Sequence, residues 1–349
     1  MQTISVNNDK RYRDGFGASW TSWGSTTVFN ETGLQLQFSN DRAFFVPHLF
    51  QILIRALGKA ERTPQEIEVL LRRGHLSDTA FHLPDFLRPI VKPVLQDLKK
   101  LLLTTDVSSG RRHAFQVPTS MASDPRTGYL LRNFLGLTPN LSHLRLNLSR
   151  YYLMENTSFM QWLSKPMPDS GTLSTTLLDP APVSLVHLKS LELGQFEIEP
   201  VTILGVISKF SHTLQDLSFW RMGLIDPRMS PPDLVNKPNK WASLFANMAN
   251  MQKLRLHHMK VGMLNQDGLH VNFKAADSDD APLGKVKEYS GPKMDLFLKE
   301  LVDETVVQWP AESLSDADED MNLDQDDQLP DAPSEDSEED EDDDDDEDE

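Results

Sequence analysis

Histidines are the first residues to test for chemistry, and the chain has 10 of them. His257 and His258 are adjacent. On a strand, neighbouring side chains face opposite ways, so these two rings cannot hold one metal together. His143, His187 and His212 recur beside similar leucine spacings and read as surface or turn residues rather than a ligand set. The chain has no cysteine. That excludes disulfides, thiolate zinc sites, iron–sulfur clusters and thiol nucleophiles. Gly15-Phe-Gly17 is too short for a phosphate-cradling loop, and no serine stands in a nucleophile-elbow pattern. Carboxylates are too plentiful for any pair to mark hydrolysis. Arg111-Arg112-His113 is basic but lacks the aromatic-interleaved stripe of a nucleic-acid surface. The expectation is a protein that is not an enzyme, with no cofactor and no nucleic-acid partner.

Recognition of another protein is the chemistry that remains. Polar residues alternate with leucines along several short segments, which would place them in a row on one sheet face. The predicted row is Lys100, then His143, Arg145 and Asn147, then Glu192, then Asp216 and Trp220, and last Lys253, Arg255 and His257. Its outer rungs are basic and its middle rungs acidic or neutral. Trp220 either anchors a bound peptide beside Arg145 or Arg255, or packs beneath a loop with the charges as ordinary solvated surface.

Five copies of one leucine arrangement must position that row. They are Leu95-x-x-Leu98-x-x-Leu101-x-Leu103, Leu137-x-x-x-Leu141-x-x-Leu144-x-Leu146, Leu185-x-x-Leu188-x-x-Leu191-x-Leu193, Phe210-x-x-x-Leu214-x-x-Leu217-x-Phe219 and Met248-x-x-Met251-x-x-Leu254-x-Leu256. Leucines two apart enter a shared core from a short strand, and stacking of such units buries their apolar faces. Intervals from Leu101 to Leu144, Leu191, Leu217 and Leu254 are 43, 47, 26 and 37 residues, so the repeats are irregular. Helices are predicted over 46–59, 129–135, 201–210, 241–248 and 294–302. A further helix is predicted from Thr63, where Pro64 and the Thr63/Glu66 pair have capping-box spacing. Leu269–Phe273 is a further strand. The predicted class is α/β, an irregular leucine-rich-repeat solenoid of horseshoe shape with a disordered acidic C-terminal tail. Its divisions are a poorly defined segment over 1–45, a helical cap over 46–94, repeats over 95–310 and the tail over 311–349.

The chain holds 53 acidic and 34 basic residues, a formal charge of −19. Residues 300–349 carry 26 of the acids and none of the bases, which leaves 27 acids against 34 bases in residues 1–299. A mildly basic body is thus joined to a strongly acidic tail, whose like charges predict disorder. Basic proteins such as histones are the partners such a tail suits. Alternatively the tail solubilises the body, or competes for its basic rungs. The N-terminus has no apolar core of signal-peptide type and no run of eighteen apolar residues occurs. The expectation is a cytoplasmic or nuclear protein that does not contact a membrane.

Four stretches carry a family resemblance. Leu131-Arg-Asn-Phe-Leu-Gly-Leu-Thr-Pro-Asn-Leu-Ser-His-Leu-Arg-Leu146, Leu188-Lys-Ser-Leu-Glu-Leu-Gly194 and Val206–Trp220, with Leu87–Leu103 before them, resemble the leucine-rich-repeat portion of fungal F-box-type proteins over roughly residues 45–310. That resemblance implies substrate recognition for a cullin-type ubiquitin ligase, with an N-terminal F-box docking the ligase adaptor. The chain departs from the family at that box. No Leu-Pro-x-Glu-initiated helix occurs in residues 1–45, and Val46-Pro-His-Leu-Phe50 lacks the acid after proline.

Overall fold

The computed structural model describes residues 3–7, 41–71, 75–108, 127–150, 152–167, 180–226, 237–274 and 283–310. The chain divides into a unit over 1–309 and a second over 310–349. The acidic tail and Arg111-Arg112-His113 lie outside the described residues, as does most of the segment over 1–45.

In chain order the strands are β1 (Thr3–Asn7), β2 (Glu66–Leu70), β3 (Leu76–Ser77), β4 (Lys100–Asp106), β5 (His143–Leu148), β6 (Ser190–Gly194), β7 (Glu197–Ile198), β8 (Asp216–Trp220), β9 (Gly223–Leu224), β10 (His258–Gly262), β11 (Asn265–Gln266), β12 (Leu269–Phe273), β13 (Val286–Ser290) and β14 (Thr305–Val307). The α-helices are α1 (Asp41–Lys59), α2 (Arg88–Gln96), α3 (Tyr129–Gly136), α4 (Leu153–Ser164), α5 (Pro200–Phe210), α6 (Lys240–Ala249) and α7 (Met294–Glu304).

These strands form two sheets. The larger has nine strands in the order β1-β2-β4-β5-β6-β8-β10-β13, with β3 also on β4. Its pairs are parallel up to β10, and β13 closes it antiparallel. The smaller has five strands in the order β14-β12-β11-β9-β7. It is mixed: β7, β9 and β11 run parallel, while β12 and β14 are antiparallel.

Leucine spacing produces the covered face of the larger sheet. Leu101, Leu144, Leu191, Leu217 and Met259 stand in one register across β4, β5, β6, β8 and β10. Each is at most 1% exposed. The helices bury their apolar sides in the same core, with Leu131 and Phe134 from α3, Phe159 and Trp162 from α4, Ile203 and Val206 from α5, and Trp241 and Phe245 from α6. Phe50, Phe81 and Phe134 meet with centroid separations of 5.2 to 5.9 Å and join α1 to α3 through the 3₁₀ turn Asp78–Phe81. Edge and tilted ring contacts of this kind add to the burial of apolar area.

The expected leucine-rich-repeat horseshoe is therefore corrected. A single curved repeat sheet is replaced by two separate sheets of irregular, mixed arrangement. The physical cause lies at the strand ends. After β6, β8 and β10 the chain turns at Gln195 (φ 69°), Arg221 (φ 56°) and Met263 (φ 55°), then enters β7, β9 and β11 of the smaller sheet. Leucine spacing records where buried side chains recur and says nothing of this second set of rungs. The fifth leucine copy is displaced as well: the strand is His258–Gly262, and Met259, not Leu254, pairs with Leu217. Residues 63–71 hold a strand rather than the predicted capped helix. In Glu66-Ile-Glu-Val-Leu70, Ile67 and Val69 are buried while Glu66 and Glu68 are half-buried, a period of two.

Asp78 holds a joint on the covered side. Its Oδ1 accepts from the Leu131 N–H at 2.9 Å and its Oδ2 from the Leu130 N–H at 3.2 Å, so it caps the α3 N-terminus from a distant segment. Burial nevertheless raises its carboxyl to about 6, with the two backbone hydrogen bonds pulling the other way.

Candidate functional site

Among the described residues the second face of the larger sheet is open. Along β2, β5, β6, β8 and β10 the residues between the buried ones are half-buried: Glu66 and Glu68, His143, Arg145 and Asn147, Ser190 and Glu192, Asp216, Ser218 and Trp220, His258 and Lys260. Lys100 shares this face at the start of β4, where Leu102 and Thr104 are buried. Parallel strands such as those from β1 to β10 ordinarily lie in sheets sealed on both faces. This one keeps a polar face of about 4.8 Å per strand across successive rungs.

Its charges pair across strands. Lys100 Nζ lies 3.7 Å from Glu66. Arg145 Nη2 donates to Glu68 Oε1, two strands away across β4. His143 Nε2 and Glu192 Oε1 are 2.5 Å apart. That hydrogen bond, reinforced by nearby cationic groups, holds the Glu192 carboxyl below its ordinary range. Lys260 Nζ donates to Glu288 Oε2 at 2.8 Å and also lies 5.8 Å from the Trp220 ring centre, within cation–π range. Gly262 sits opposite Trp220 in the register, and a Cβ there would collide with the indole. The glycine therefore makes room for the ring across the neighbouring strand.

Seven of the ten sequence-predicted residues fall on this face. Lys100, His143, Arg145, Asn147, Glu192, Asp216 and Trp220 lie on one contiguous set of strands, and His143 bonds Glu192 directly. Lys253, Arg255 and His257 do not join them. They are exposed residues of the segment before β10, and His258 and Lys260 occupy the rungs expected for them. Sequence reasoning missed Glu68, Lys260 and Glu288. The alternation in Glu66–Leu70 was the available signal for the first, and nothing local marks the antiparallel β13 that supplies the last.

A basic groove lies at the carboxyl ends of the same strands. It encloses about 440 Å³ and is lined by Arg150, Gln195, Arg221, Met263 and Lys285 among others. Among the described residues no carboxylate lines it. Carboxyl ends of parallel strands are where open α/β sheets usually place ligands. Arg150 is drawn toward Glu197 at 3.5 Å, whereas no ion pair involves Arg221 or Lys285 among the described residues.

Among the described residues no group of three or more His, Cys, Asp or Glu is placed to hold a metal. None of the described helices is long and apolar enough to cross a membrane. Comparison of the chain with known families, characterised proteins and solved structures finds no match. The F-box-type resemblance is thereby corrected too: neither the two-sheet fold nor any family match supports it. The adaptor docking and ubiquitin-ligase substrate recognition that it implied lose their support with it.

Proposed function

We propose that the chain is a non-catalytic protein-binding scaffold whose partner lies across the open face of the larger sheet. The observation that carries this reading is the unsealed polar face of a parallel sheet whose other face forms the core. Charges of both signs alternate along it, and electrostatic complementarity of that kind favours register and specificity over raw affinity. Trp220, half-buried beside Lys260, is the one large aromatic on it among the described residues and serves as the anchor.

The test uses the full chain with a photocrosslinking residue at Ser218 on this face, or at Val186, which is 54% exposed elsewhere. Crosslinking in cells is expected to trap a discrete protein from Ser218 alone, and Trp220→Ala should reduce the yield about tenfold. Equal yields from both positions would sink the proposal.

A second reading rests on charge distribution alone. Residues 300–349 carry 26 acids and no base, which suits a basic protein such as a histone. Binding of histone peptides should then disappear when residues 311–349 are removed and survive Trp220→Ala. The reverse pattern would eliminate this reading.

A further inference from the structure

We propose that the basic groove at the strand ends is a second binding site and takes an extended acidic peptide segment. It is separate from the open sheet face, and the proposal stands whether or not that face binds a protein.

Charge is the first ground. On the open face Lys100, Arg145 and Lys260 each meet a carboxylate. In the groove Arg221 and Lys285 meet none, and both are exposed. Uncompensated cations within one concavity raise the local concentration of anions.

An orphaned polar group is the second ground. His75 Nε2, on the groove lining, is buried and has no hydrogen-bond partner among the described residues. Buried polar groups are nearly always paired, so it marks a place where a ligand completes the set.

Backbone strain is the third. Gln195, Arg221 and Met263 follow β6, β8 and β10, and all three have positive φ. Their amides hold the corner, with Gln195 N–H donating to Trp220 O, Arg221 N–H to Gly262 O and Met263 N–H to Lys285 O, at 2.9 to 3.0 Å. Glycine would occupy such corners with about 1–2 kcal/mol less strain. The chain instead carries three long side chains there, and strain of this kind concentrates at binding sites.

The geometry selects the ligand. Arg150, Arg221 and Lys285 belong to rungs β5, β8 and β13, each two strand spacings from the next. That places the cations about 10 Å apart over roughly 20 Å. One phosphate group cannot reach all three, whereas an extended peptide of six or seven residues spans that length. Arginine forks match carboxylates in a bidentate manner. Gln195 and Asn272 offer amides to a peptide backbone, and Met263 offers an apolar contact. Among the described residues the lining contains no Phe, Tyr or Trp for base stacking, which disfavours single-stranded nucleic acid.

The experiment titrates full-length protein with a fluorescein-labelled dodecapeptide of alternating Asp and Ser and follows anisotropy. Arg221→Asn/Lys285→Ser is the test variant, Asn being tolerant of the positive φ at 221. Lys99→Ser/Lys189→Ser removes the same charge from exposed lysines at the opposite strand ends. At least a tenfold loss is expected for the groove variant, a change under twofold for the control, and weaker binding at higher salt throughout. Equal losses in the two variants overturn the proposal, and so does an absence of binding to the unaltered protein. Tighter binding of an oligothymidylate of equal charge overturns it in favour of nucleic acid.

Discussion

The two faces of the larger sheet are built from the same strands and obey opposite rules. On the covered face, Leu101, Leu144, Leu191, Leu217 and Met259 form an unbroken apolar line that is at most 1% exposed. On the open face, the residues between them are acids and bases that pair over one or two strands. Burial decides the first line, and its members are interchangeable in kind. Position decides the second, because each charge needs a particular neighbour. Stability should therefore reside chiefly on one face and discrimination between partners on the other.

The largest effect should come from the covered face. Leu191→Ala removes a side chain that is 0% exposed and should cost about 2–5 kcal/mol, measured by chemical denaturation. A cost under about 1 kcal/mol would mean that the line is not the core.

Asp78 and Glu192 sharpen the contrast through pH. Asp78 lies on the covered side, and its carboxyl is raised from 3.8 to about 6. The native state then binds this proton more readily than the unfolded chain does. Its contribution to stability is full below about pH 3.8 and is lost as pH rises through 6, on the order of 2–3 kcal/mol. Asp78→Asn should flatten the stability profile between pH 4 and 6 while keeping an amide oxygen for the Leu131 N–H, and an unchanged slope would refute the assignment. Glu192 behaves oppositely. Its carboxyl is lowered, chiefly by the His143 hydrogen bond, so its contribution is present above its ordinary value of 4.5 and is lost as pH falls through the native-state value. Glu192→Gln should remove that acid-side loss, detectable as a flatter melting temperature below pH 4.5.

Smaller effects belong to the open face alone. A double-mutant cycle on Arg145→Ala and Glu68→Ala should return a coupling of about 1 kcal/mol, since both side chains are roughly three-quarters buried. Coupling indistinguishable from zero would make the charge pairing incidental. Lys260→Ala should change stability by no more than about 0.5 kcal/mol yet shift the fluorescence of Trp220, which its ammonium approaches. A stability loss above 2 kcal/mol would move Lys260 from the proposed recognition surface to the structural framework.

Leucine spacing made the buried line legible because burial repeats in sequence whenever strands share a core. Four of the five copies, ending in Leu103, Leu146, Leu193 and Phe219, lie on strands in mutual register. The fifth failed because Leu254 and Leu256 have the same apolar character as Met259 and Val261, and spacing alone cannot choose between two adjacent apolar pairs. The smaller sheet was hidden for a different reason. β7, β9 and β11 are two residues each, too short to show any period. Alternation placed most of the predicted row on one sheet face, but it did not supply the partners of those residues. Which acid faces Arg145 depends on strands β2 and β5, separated by 77 residues between Glu68 and Arg145. The groove left no local trace, since Arg221, Asn272 and Lys285 meet only through the turn from one sheet into the other.

The parallel pairing of β4, β5, β6, β8 and β10 also has a consequence for how the chain folds. Each new strand joins its neighbour only after a long loop closes: 43 residues from Leu101 to Leu144, 47 to Leu191, 26 to Leu217 and 42 to Met259. The entropy of closure grows only with the logarithm of length, so the longest and shortest of these differ by about 0.5 kcal/mol. Unequal insertions between rungs are thus cheap at equilibrium. Kinetically, every rung is non-local, and its apolar line stays unsealed until the next strand arrives. Assembly should advance outward from whichever rung pairs first, and the 26-residue closure between β6 and β8 is the shortest route to that first pair.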